Sequence, residues 1–339
     1  MNNCYIYCDK RSLNPATIFY INLVADSLKD KGFEIKTVHN KKEIRNPHII
    51  FTVTEKYFLI AKSFFPKAKT IYWAQGVDAE EAKAIAHSLK SYARYLFRLY
   101  AEKVAIRKSD LLFCVSERQV EYYKESFGYD NERPHIVMPC YNLHLTETFN
   151  PSQYSSPSFV YAGNASGWQG VDFMLGVYAR VEAVLGERCK LVLLTNDEEN
   201  FKKKIDENGI KNVEMRFVPL SDLPEELHKY KYGFIIRDES IINQVATPTK
   251  MNSYLASYVI PIYSDSVQDF VSNIRLGEFS IIAKCPLKQE DVANQIISFE
   301  NEEKDYGKFE KYVKDIFDKH YNDDYYKGVI STKLDLLIK

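Results

Sequence analysis

The stretch YGFIIRDESIINQVATPTKMNSYLASY, residues 232–258, contains the pattern on which the fold prediction rests. An apolar run ends in Arg237 and Asp238, a polar loop follows, and Pro-Thr-Lys then opens a helical pattern at Lys250. A buried strand that leads through a polar loop into a helix is typical of a βα unit in a parallel sheet. Cations are unfavourable at a helix N-terminus unless an anion lies nearby, so we expect Arg237, Lys250 and the helix N-terminus to converge on a diphosphate. The alternative is a structural ion pair of Arg237 with Asp238 or Glu239.

The same alternation of strand and helix patterns extends outward from this stretch in both directions. The predicted strands lie at residues 4–8, 33–38, 48–53, 70–76, 110–116 and 135–139 in the first half, and at 158–163, 189–196, 213–219, 232–238, 259–265 and 279–284 in the second. Helical patterns separate most of these strands. The alternation predicts an α/β protein with two doubly wound, Rossmann-like parallel sheets that are covered by helices on both faces.

A polar segment at residues 141–157 interrupts the alternation, because it lacks apolar periodicity and contains two prolines. We therefore divide the chain into an N-terminal domain at 1–145, a linker at 146–157, a C-terminal domain at 158–305 and C-terminal helices at 306–339. Ligands of open α/β sheets bind outside the carboxyl ends of the strands. The residues that follow each strand are therefore the candidate site residues.

The composition is that of a globular protein with balanced charge. The chain has 339 residues, with 45 basic against 46 acidic residues and a formal net charge of −1, which argues against a generally basic nucleic-acid binder. The N-terminus lacks the apolar run of a signal peptide, and no window is as apolar as a membrane span, so we predict a cytoplasmic location. The 6 cysteines are scattered without a CxxC or Cys/His cluster, which argues against a zinc site and favours reduced thiols.

Several segments carry a family resemblance. In the second half they are FVYAGNASGWQG at 159–170, FVPLSDLPEELHKYKYGFIIRD at 217–238 and INQVATPTKMNSYLASYVIPIYSD at 242–265. These segments resemble GT-B fold glycosyltransferases, most nearly the retaining family 4 or group 1 enzymes of bacterial capsule, exopolysaccharide and O-antigen synthesis. In the first half, SDLLFCVSERQVEYYKESFGY at 109–129 and HIVMPCYN at 135–142 resemble the last part of that family's acceptor domain. The resemblance implies a GT-B fold, with two Rossmann-like domains facing a central cleft.

The resemblance also implies roles for residues at the strand ends. The C-terminal domain would bind a nucleotide-sugar, such as a UDP- or GDP-sugar, as substrate with no cofactor or metal, and the N-terminal domain would present a glycan or polyprenyl-linked acceptor. Arg237 and Lys250 are then the catalytic cations that stabilise the departing diphosphate. The donor-binding candidates are Gly163, Asn164, Gln169, Thr195, Asn196, Val218, Pro219, Asp238, Pro248, Thr249 and Ser253. Retention of anomeric configuration and C-terminal helices that cross back to the N-terminal domain are expected from the resemblance alone.

Four positions depart from the family pattern, and one of them is Tyr258, which stands where relatives commonly have a glycine before the following strand. Ser253 stands where many relatives have a Glu, and Asn164 and Gln169 stand where relatives have an Arg and a Lys. These departures favour an alternative function, a catalytically degenerate partner subunit that assists another glycosyltransferase. A GT-B-like sugar-nucleotide epimerase and a two-lobed small-molecule binding protein are further alternatives.

The most distinctive stretch of the first half is LKSYARYLFRLYAEKVAIRK, residues 89–108. One helical stripe of this stretch is basic and another is apolar: they consist of Lys90, Arg94 and Arg98, and of Leu89, Ala93, Leu96, Tyr100 and Val104. One interpretation is a helix that contacts the inner face of the cell membrane near a polyprenyl-linked acceptor. The other is an ordinary helix whose apolar stripe packs on the sheet while its basic stripe faces water.

The strand ends of the first half supply the acceptor-side candidates Asp9, Gln75, Asp78 and Ser116. Asp78 has two interpretations. It is either a general base for the acceptor hydroxyl or the N-cap of the helix that follows it.

Overall fold

The computed structural model describes residues 2–165 and 169–338, so Gly167 and Trp168 of the GWQG segment lie outside the described residues. The chain divides into two compact units. The first unit comprises Met1–Asn142, Gln244–Thr247 and Asn322–Lys339, and the second comprises Leu143–Asn243 and Pro248–Tyr321.

The first unit is built on a six-stranded parallel sheet in the order β2-β1-β3-β4-β5-β6. The strands are β1 (Asn2–Tyr7), β2 (Phe33–Val38), β3 (Ile49–Thr52), β4 (Lys69–Trp73), β5 (Leu111–Cys114) and β6 (His135–Val137). The helices between them are α1 (Pro15–Asp30), α2 (Glu55–Phe64), α3 (Asp78–Ala84), α4 (Leu89–Lys108) and α5 (Glu117–Phe127). The strand order reverses between β1 and β3, and this switch point places Asp9 and Glu55 beyond the ends of adjacent strands.

The second unit is built on another six-stranded parallel sheet, in the order β12-β11-β10-β7-β8-β9. The strands are β7 (Ser158–Ala162), β8 (Lys190–Leu194), β9 (Val213–Arg216), β10 (Tyr232–Ile235), β11 (Ile260–Ser264) and β12 (Ile281–Ala283). The helices from α6 onward are α6 (Val171–Leu185), α7 (Glu198–Asn208), α8 (Leu223–Leu227), α9 (Ile241–Val245), α10 (Lys250–Ala256), α11 (Gln268–Asn273), α12 (Gln289–Glu300), α13 (Tyr306–Lys319) and α14 (Asp323–Ile338). The predicted α/β class with two doubly wound parallel sheets is confirmed.

The central strands are buried on both faces, which is why they appear in the sequence as short continuous apolar runs. All four residues of β10 are buried, and the rings of Tyr232 and Phe234 stack on Phe159 of β7 at centroid distances of 4.9 and 5.8 Å. In the first sheet Trp73 stacks on Tyr20 of α1 at 3.8 Å. Aromatic side chains therefore fill much of the space between the sheets and their covering helices.

The segment predicted as a linker belongs to the second unit. The Gln153 side chain donates to the Tyr230 carbonyl at 2.6 Å, and the Tyr154 hydroxyl donates to the Tyr258 carbonyl at 2.8 Å. The Tyr154 ring also stacks on Tyr306 of α13 at 4.1 Å. The polar residues that suggested a linker are used here to satisfy backbone groups.

The two C-terminal helices belong to different units. Helix α13 lies in the second unit, where Phe309 packs against Phe279 at 5.1 Å. Helix α14 lies in the first unit, against α1 and β6, and Lys31 of α1 contacts Asp335 at 2.6 Å. Within the described ranges, no helix is long and apolar enough to cross a membrane.

Candidate functional site

The candidate site lies at the point where the strand order of the second sheet reverses. Strand β7 pairs with β8 on one side and with β10 on the other, so the chain leaves both β7 and β10 at the same edge of the sheet. Gly163 follows β7 directly, and Arg237 lies two residues beyond β10. Crevices at such switch points are the usual ligand sites of open α/β sheets.

Helix α10 is held over this edge by a close packing contact. A Cβ atom on Gly233 of β10 would lie 2.5 Å from the ring of Tyr254, so only glycine lets this helix lie so near the strand. The Tyr254 hydroxyl accepts a hydrogen bond from the Ala162 N–H at 3.3 Å. These contacts fix the helix whose first residue is Lys250.

The ammonium group of Lys250 lies among neutral partners at the end of β7. Its Nζ donates to Gln169 Oε1 at 2.7 Å and lies 4.2 Å from the centroid of the Tyr161 ring. A Cβ atom on Gly163 would approach Lys250 Nζ to 2.9 Å, and the φ angle of Gly163 is +154°. No carboxylate in the described part of the chain lies within ion-pair distance of Lys250 Nζ. Gly163 and Gln169 therefore shape the position of this cation.

A second cation, Arg237, is buried close by, with 7% of its surface exposed. Its backbone N–H donates to Ser264 Oγ at 2.7 Å, and its carbonyl accepts from Ser266 Oγ at 3.2 Å. Burial and the positive charge of Arg237 lower the pKa of Lys250 well below its usual range. Burial also lowers the pKa of Arg237, while Tyr161 and Asp238 act in the opposite direction. A buried cation whose charged form is further disfavoured by a neighbouring cation lies in an environment suited to an anion.

The remaining residues near the predicted helix N-terminus have mostly local roles. Thr249 is the N-cap of α10 without a side-chain capping bond, and its carbonyl accepts from Ser253 Oγ at 3.1 Å. The Asp238 carboxylate accepts hydrogen bonds from Asn243 and from Ser240. Pro248 precedes this N-cap and is partly buried. Because α10 has 7 residues, the positive potential here comes from the side chains more than from a helix dipole.

Other donor-binding candidates lie farther along the same edge. Thr195, which follows β8, is buried and its hydroxyl accepts from the Asp197 N–H at 3.0 Å, whereas Asn196 is exposed. Asn164 is exposed, and its carbonyl accepts from the Tyr161 hydroxyl at 2.8 Å.

Val218 and Pro219 follow β9, the outer strand, which lies two strands away from β7. Val218 is partly buried and Pro219 is exposed. Neighbouring strands are about 4.8 Å apart, so these two residues begin about 10 Å from the β7 end in the plane of the sheet.

The acceptor-side candidates lie in the first unit. The Asp9 carboxylate accepts from the Arg11 N–H at 2.9 Å, and this bond lowers the Asp9 pKa. Gln75 is exposed and accepts from the Thr17 hydroxyl at 3.4 Å. Ser116 is the N-cap of α5 and its hydroxyl also donates to the Val245 carbonyl at 2.7 Å, so this side chain has a structural role.

Asp78 is not an N-cap, because Val77 occupies that position and Asp78 is the first residue of α3. It belongs instead to a cluster of carboxylates that sequence analysis missed. Arg98 of α4 lies 3.5 Å from Asp78 and 3.8 Å from Glu55. Burial and the charges of Glu55, Glu102 and Glu81 raise the pKa of Asp78 well above its usual range. A carboxyl group whose pKa is raised by burial and by neighbouring carboxylates is a candidate for proton transfer.

Glu102 is the most deeply buried member of this carboxylate cluster, with 1% of its surface exposed. Its carboxylate accepts from the Ala79 N–H at 2.8 Å and from the Tyr123 hydroxyl at 3.1 Å. Burial raises the pKa of Glu102 to about 7 in spite of these two hydrogen bonds. The two hydrogen-bond partners of Glu102 are 21 and 23 residues away in the sequence, so no local motif reveals this carboxylate.

Helix α4 presents its apolar stripe to solvent, which is the reverse of the ordinary packed arrangement. Ala101, Glu102, Ala105 and Ile106 form its buried face, while Arg98 turns toward Glu55 and Asp78. The exposed large side chains are Leu89 (91%), Tyr92 (51%), Leu96 (47%), Phe97 (50%) and Tyr100 (64%). The interpretation in which the apolar stripe packs on the sheet is therefore wrong.

Comparison with solved structures relates the whole chain to one architecture. WaaG, a glycosyltransferase involved in lipopolysaccharide biosynthesis, matches 97% of this chain and 99% of its own at 10% identity, with a TM-score of 0.66. Sucrose-phosphate synthase from Thermosynechococcus elongatus matches 99% of this chain and 98% of its own at 11% identity, with a TM-score of 0.70. The chain has the GT-B fold.

HepE from Anabaena, solved in complex with UDP-glucose, matches 99% of this chain and 100% of its own at 12% identity, with a TM-score of 0.69. No family model and no curated protein sequence matches the chain. The predicted GT-B fold is thus confirmed by structural similarity alone.

Proposed function

We propose that this protein is a glycosyltransferase that moves a sugar from a nucleotide-sugar, such as a UDP- or GDP-sugar, to a glycan or lipid-linked acceptor in bacterial polysaccharide synthesis. The fold supports this proposal, because solved structures that share it include glycosyltransferases and one complex with UDP-glucose. The donor binds as substrate in the second unit, and the reaction uses neither a cofactor nor a metal.

One observation carries the proposal: two mutually repelling cations lie at the switch point of the second sheet. Lys250 is held by Gln169 and Tyr161, with Gly163 leaving room beside it, and burial together with the charge of Arg237 lowers the Lys250 pKa. A diphosphate would remove this repulsion and accept hydrogen bonds from both cations.

These cations would act most strongly when negative charge grows on the departing nucleoside diphosphate. Positive groups that are already in place stabilise such charge without reorganisation at the moment of reaction. Arg237 and Lys250 are therefore the proposed catalytic residues. Retention of configuration follows from the sequence resemblance, and NMR of the anomeric proton in the product would test it.

The test is calorimetric titration with UDP, GDP, CMP and their common sugar conjugates. We expect one nucleotide class to bind, and Lys250→Met to weaken that binding by about 1.5–3 kcal/mol, the value of a hydrogen bond to a charged group. Arg237→Ala should weaken it similarly. Lys203→Met is the matched control, because Lys203 lies in the same unit on α7 and its side chain is 80% exposed.

Failure of every nucleotide to bind would contradict the transferase proposal and favour the degenerate partner subunit. The departures at Ser253, Asn164 and Gln169 motivate that alternative. Gln169 is uncharged, but it accepts a hydrogen bond from Lys250 and so helps to hold that cation in the site. If donor binds but is neither transferred nor hydrolysed, the protein is a binding subunit.

We also propose that the first unit contacts the inner face of a membrane through α4, where a lipid-linked acceptor would be available. The exposed apolar stripe of this helix supports the contact, because a helix with such a face lies favourably at a membrane interface.

A further inference from the structure

The carboxyl edge of the first sheet carries a group of basic side chains. Strands β2, β1 and β3 are neighbours that end level with one another, because Tyr7 pairs with Val38 on one side and with Thr52 on the other. The segments that follow these strands begin side by side at this edge, and they comprise residues 8–12, 39–43 and 53–57. The basic residues of these segments, termed the edge cations, are Lys10, Arg11, Lys41, Lys42 and Lys56.

Most of the edge cations are left without an ion pair in the described part of the chain. Lys41 lies over the ring of Phe64, 3.2 Å from its centroid, so an aromatic ring occupies this cation. The other edge cations are exposed, and within residues 2–165 and 169–338 no carboxylate lies within ion-pair distance of them. Exposed cations are usually only solvated, so it is their position at the switch point of the sheet that makes these side chains candidates for ligand binding.

Arg11 and Lys56 lie close to an ordered carboxylate and an aromatic ring. The Asp9 carboxylate accepts a hydrogen bond from the Arg11 N–H at 2.9 Å and another from the Tyr57 hydroxyl at 3.5 Å. The backbone hydrogen bond lowers the Asp9 pKa, and the nearby charges of Arg11 and Lys56 act in the same direction. The Tyr57 ring packs edge-on against Tyr7, with 4.6 Å between the ring centroids. A carboxylate and a phenol held in this way are suited to bond the hydroxyls of a sugar.

The other acidic residues of these segments are already engaged. The Glu43 carboxylate accepts from the Asn40 N–H at 2.9 Å, and the buried Glu55 lies 3.8 Å from Arg98. Among the described residues, neither of these carboxylates pairs with an edge cation. The edge above β2, β1 and β3 is therefore positively charged.

The charge is reversed farther along the same edge. Beyond β4 lies the carboxylate cluster that contains Asp78 and Glu81, with Arg98 as a cation beside it. In the sheet order β4 is two strands away from β1, and neighbouring strands about 4.8 Å apart make this distance about 10 Å. A ligand that spans this edge meets positive charge at one end and carboxylates at the other.

We infer that the acceptor is an acidic glycan whose phosphate or carboxylate group binds Arg11 and Lys56, about 10 Å from the hydroxyl that reacts beside Asp78. A guanidinium binds either acidic group through two parallel hydrogen bonds, and Lys56 adds a second positive charge. The carboxylates near Asp78 repel an anion, so they orient the acidic group of the glycan toward the edge cations. The inference rests on the proposed function, because it specifies the class of acceptor.

The test is ligand-observed NMR titration of the whole protein with glucose, glucuronate and glucose 6-phosphate, which differ mainly in charge. We expect both anionic sugars to bind and glucose not to bind under the same conditions, and added salt should weaken the binding. Binding of only one anionic sugar would support the inference and identify the acid as a carboxylate or a phosphate. Glucose that binds as tightly as the anionic sugars would overturn the inference.

The double variant Arg11→Gln with Lys56→Gln should weaken the binding of the anionic sugars at least about tenfold, the effect of losing one hydrogen bond to a charged group. Both side chains are exposed, and the Arg11 N–H that donates to Asp9 is retained, so the variant should fold. Lys29→Gln with Lys69→Gln is the matched control, because these exposed lysines lie in the last turn of α1 and at the start of β4, at the opposite edge of the sheet. An equal loss in the control pair would indicate diffuse attraction and contradict the site.

Two further probes separate the possible sources of the anion. Inorganic phosphate that binds as tightly as glucose 6-phosphate would show a simple anion site and overturn the glycan assignment. Geranyl diphosphate that displaces the anionic sugars, and whose binding the double variant abolishes, would place the diphosphate of a lipid carrier here instead. Weak binding of both probes would support an acidic group on the glycan itself.

Failure of this inference and failure of the donor site are distinguishable on the wild-type protein. Nucleotide binding without binding of either anionic sugar would overturn the acidic acceptor and leave the transferase proposal intact. Binding of the anionic sugars without any nucleotide would support the site at the edge cations and contradict the donor site at Lys250.

Discussion

Replacement of Glu102 by Gln should remove one defined part of an unusual pH dependence from the stability of the first unit. Glu102 is almost completely buried, and Arg98 of the same helix lies against Glu55 and Asp78. The hydrogen bonds from Ala79 and Tyr123 favour the charged form, but burial outweighs them. Gln keeps the shape and an acceptor oxygen while it removes the charge.

The magnitude follows from the pKa of Glu102, which is raised from 4.5 to about 7. The folded state binds this proton more tightly than the unfolded state does, so the stabilisation is fully present below the unfolded pKa and is lost as pH rises through the folded one. Each pKa unit corresponds to 1.36 kcal/mol, so the wild type should lose about 3 kcal/mol between roughly pH 4.5 and pH 7.5. Asp78 and Glu81, whose pKa values are also raised, add to the same trend.

Urea unfolding followed by Trp73 fluorescence measures this effect, because Trp73 belongs to the first unit and stacks on Tyr20 of α1. A Trp168→Phe background removes the other of the 2 tryptophans. The Glu102→Gln variant should be more stable than the wild type above about pH 7 and should show a stability curve that is flatter by about 3 kcal/mol. The reasoning is refuted if the variant retains the wild-type slope, or if wild-type stability rises over this range.

Three other predictions concern the two units separately. Gly163→Ala places a methyl group 2.9 Å from Lys250 Nζ at a φ of +154°. The free energy of unfolding in urea should therefore fall by about 1–2 kcal/mol, and calorimetry should show weaker nucleotide binding. Unchanged nucleotide binding would contradict the contact between residue 163 and Lys250. A bound diphosphate should favour the protonated form of Lys250, so the affinity for the nucleotide should fall as pH rises through the lowered pKa of Lys250. Calorimetry in buffers with different heats of ionisation should show that the protein takes up a proton when the nucleotide binds. Affinity that does not depend on pH would argue against this cation. Ser116→Ala should lower the free energy of unfolding by about 1–2 kcal/mol, because α5 loses its N-cap, and should leave nucleotide binding unchanged. A loss of nucleotide binding of the same size would show that Ser116 also affects the donor site.

Most of the fold could be predicted from sequence because its strands are central in parallel sheets. Such strands are apolar on both faces, so runs such as 49–52 and 232–235 stand out between polar loops. Helix α2 (Glu55–Phe64) is not among the predicted elements, and its N-cap Thr54 makes no side-chain capping bond. The segment 146–157 was interpreted as a linker for a related reason: its polar side chains bond to backbone far away in sequence.

The candidate donor site was predictable in part. The rule that ligands bind beyond strand ends selected Gly163, Arg237 and Lys250, and the structure brings these residues together. It could not select Tyr161, whose ring lies under the Lys250 ammonium, because a tyrosine inside a strand gives no sign of the side chain above it. Whether these residues bind a donor stays a prediction.

The sequence by itself determined the alternation of strands and helices, the two-sheet class and the strand ends that carry charge, because each of these depends on patterns within a few residues. Only the tertiary structure decided which face of α4 meets solvent, because periodicity defines a stripe but not its neighbour. It alone decided that Glu55, Asp78 and Glu102 share one environment and that Gly163 lies against Lys250. Glu55 and Asp78 come from separate βα units, as do Gly163 and Lys250, and the order of strands in the sheet, which local sequence does not specify, is what brings them together.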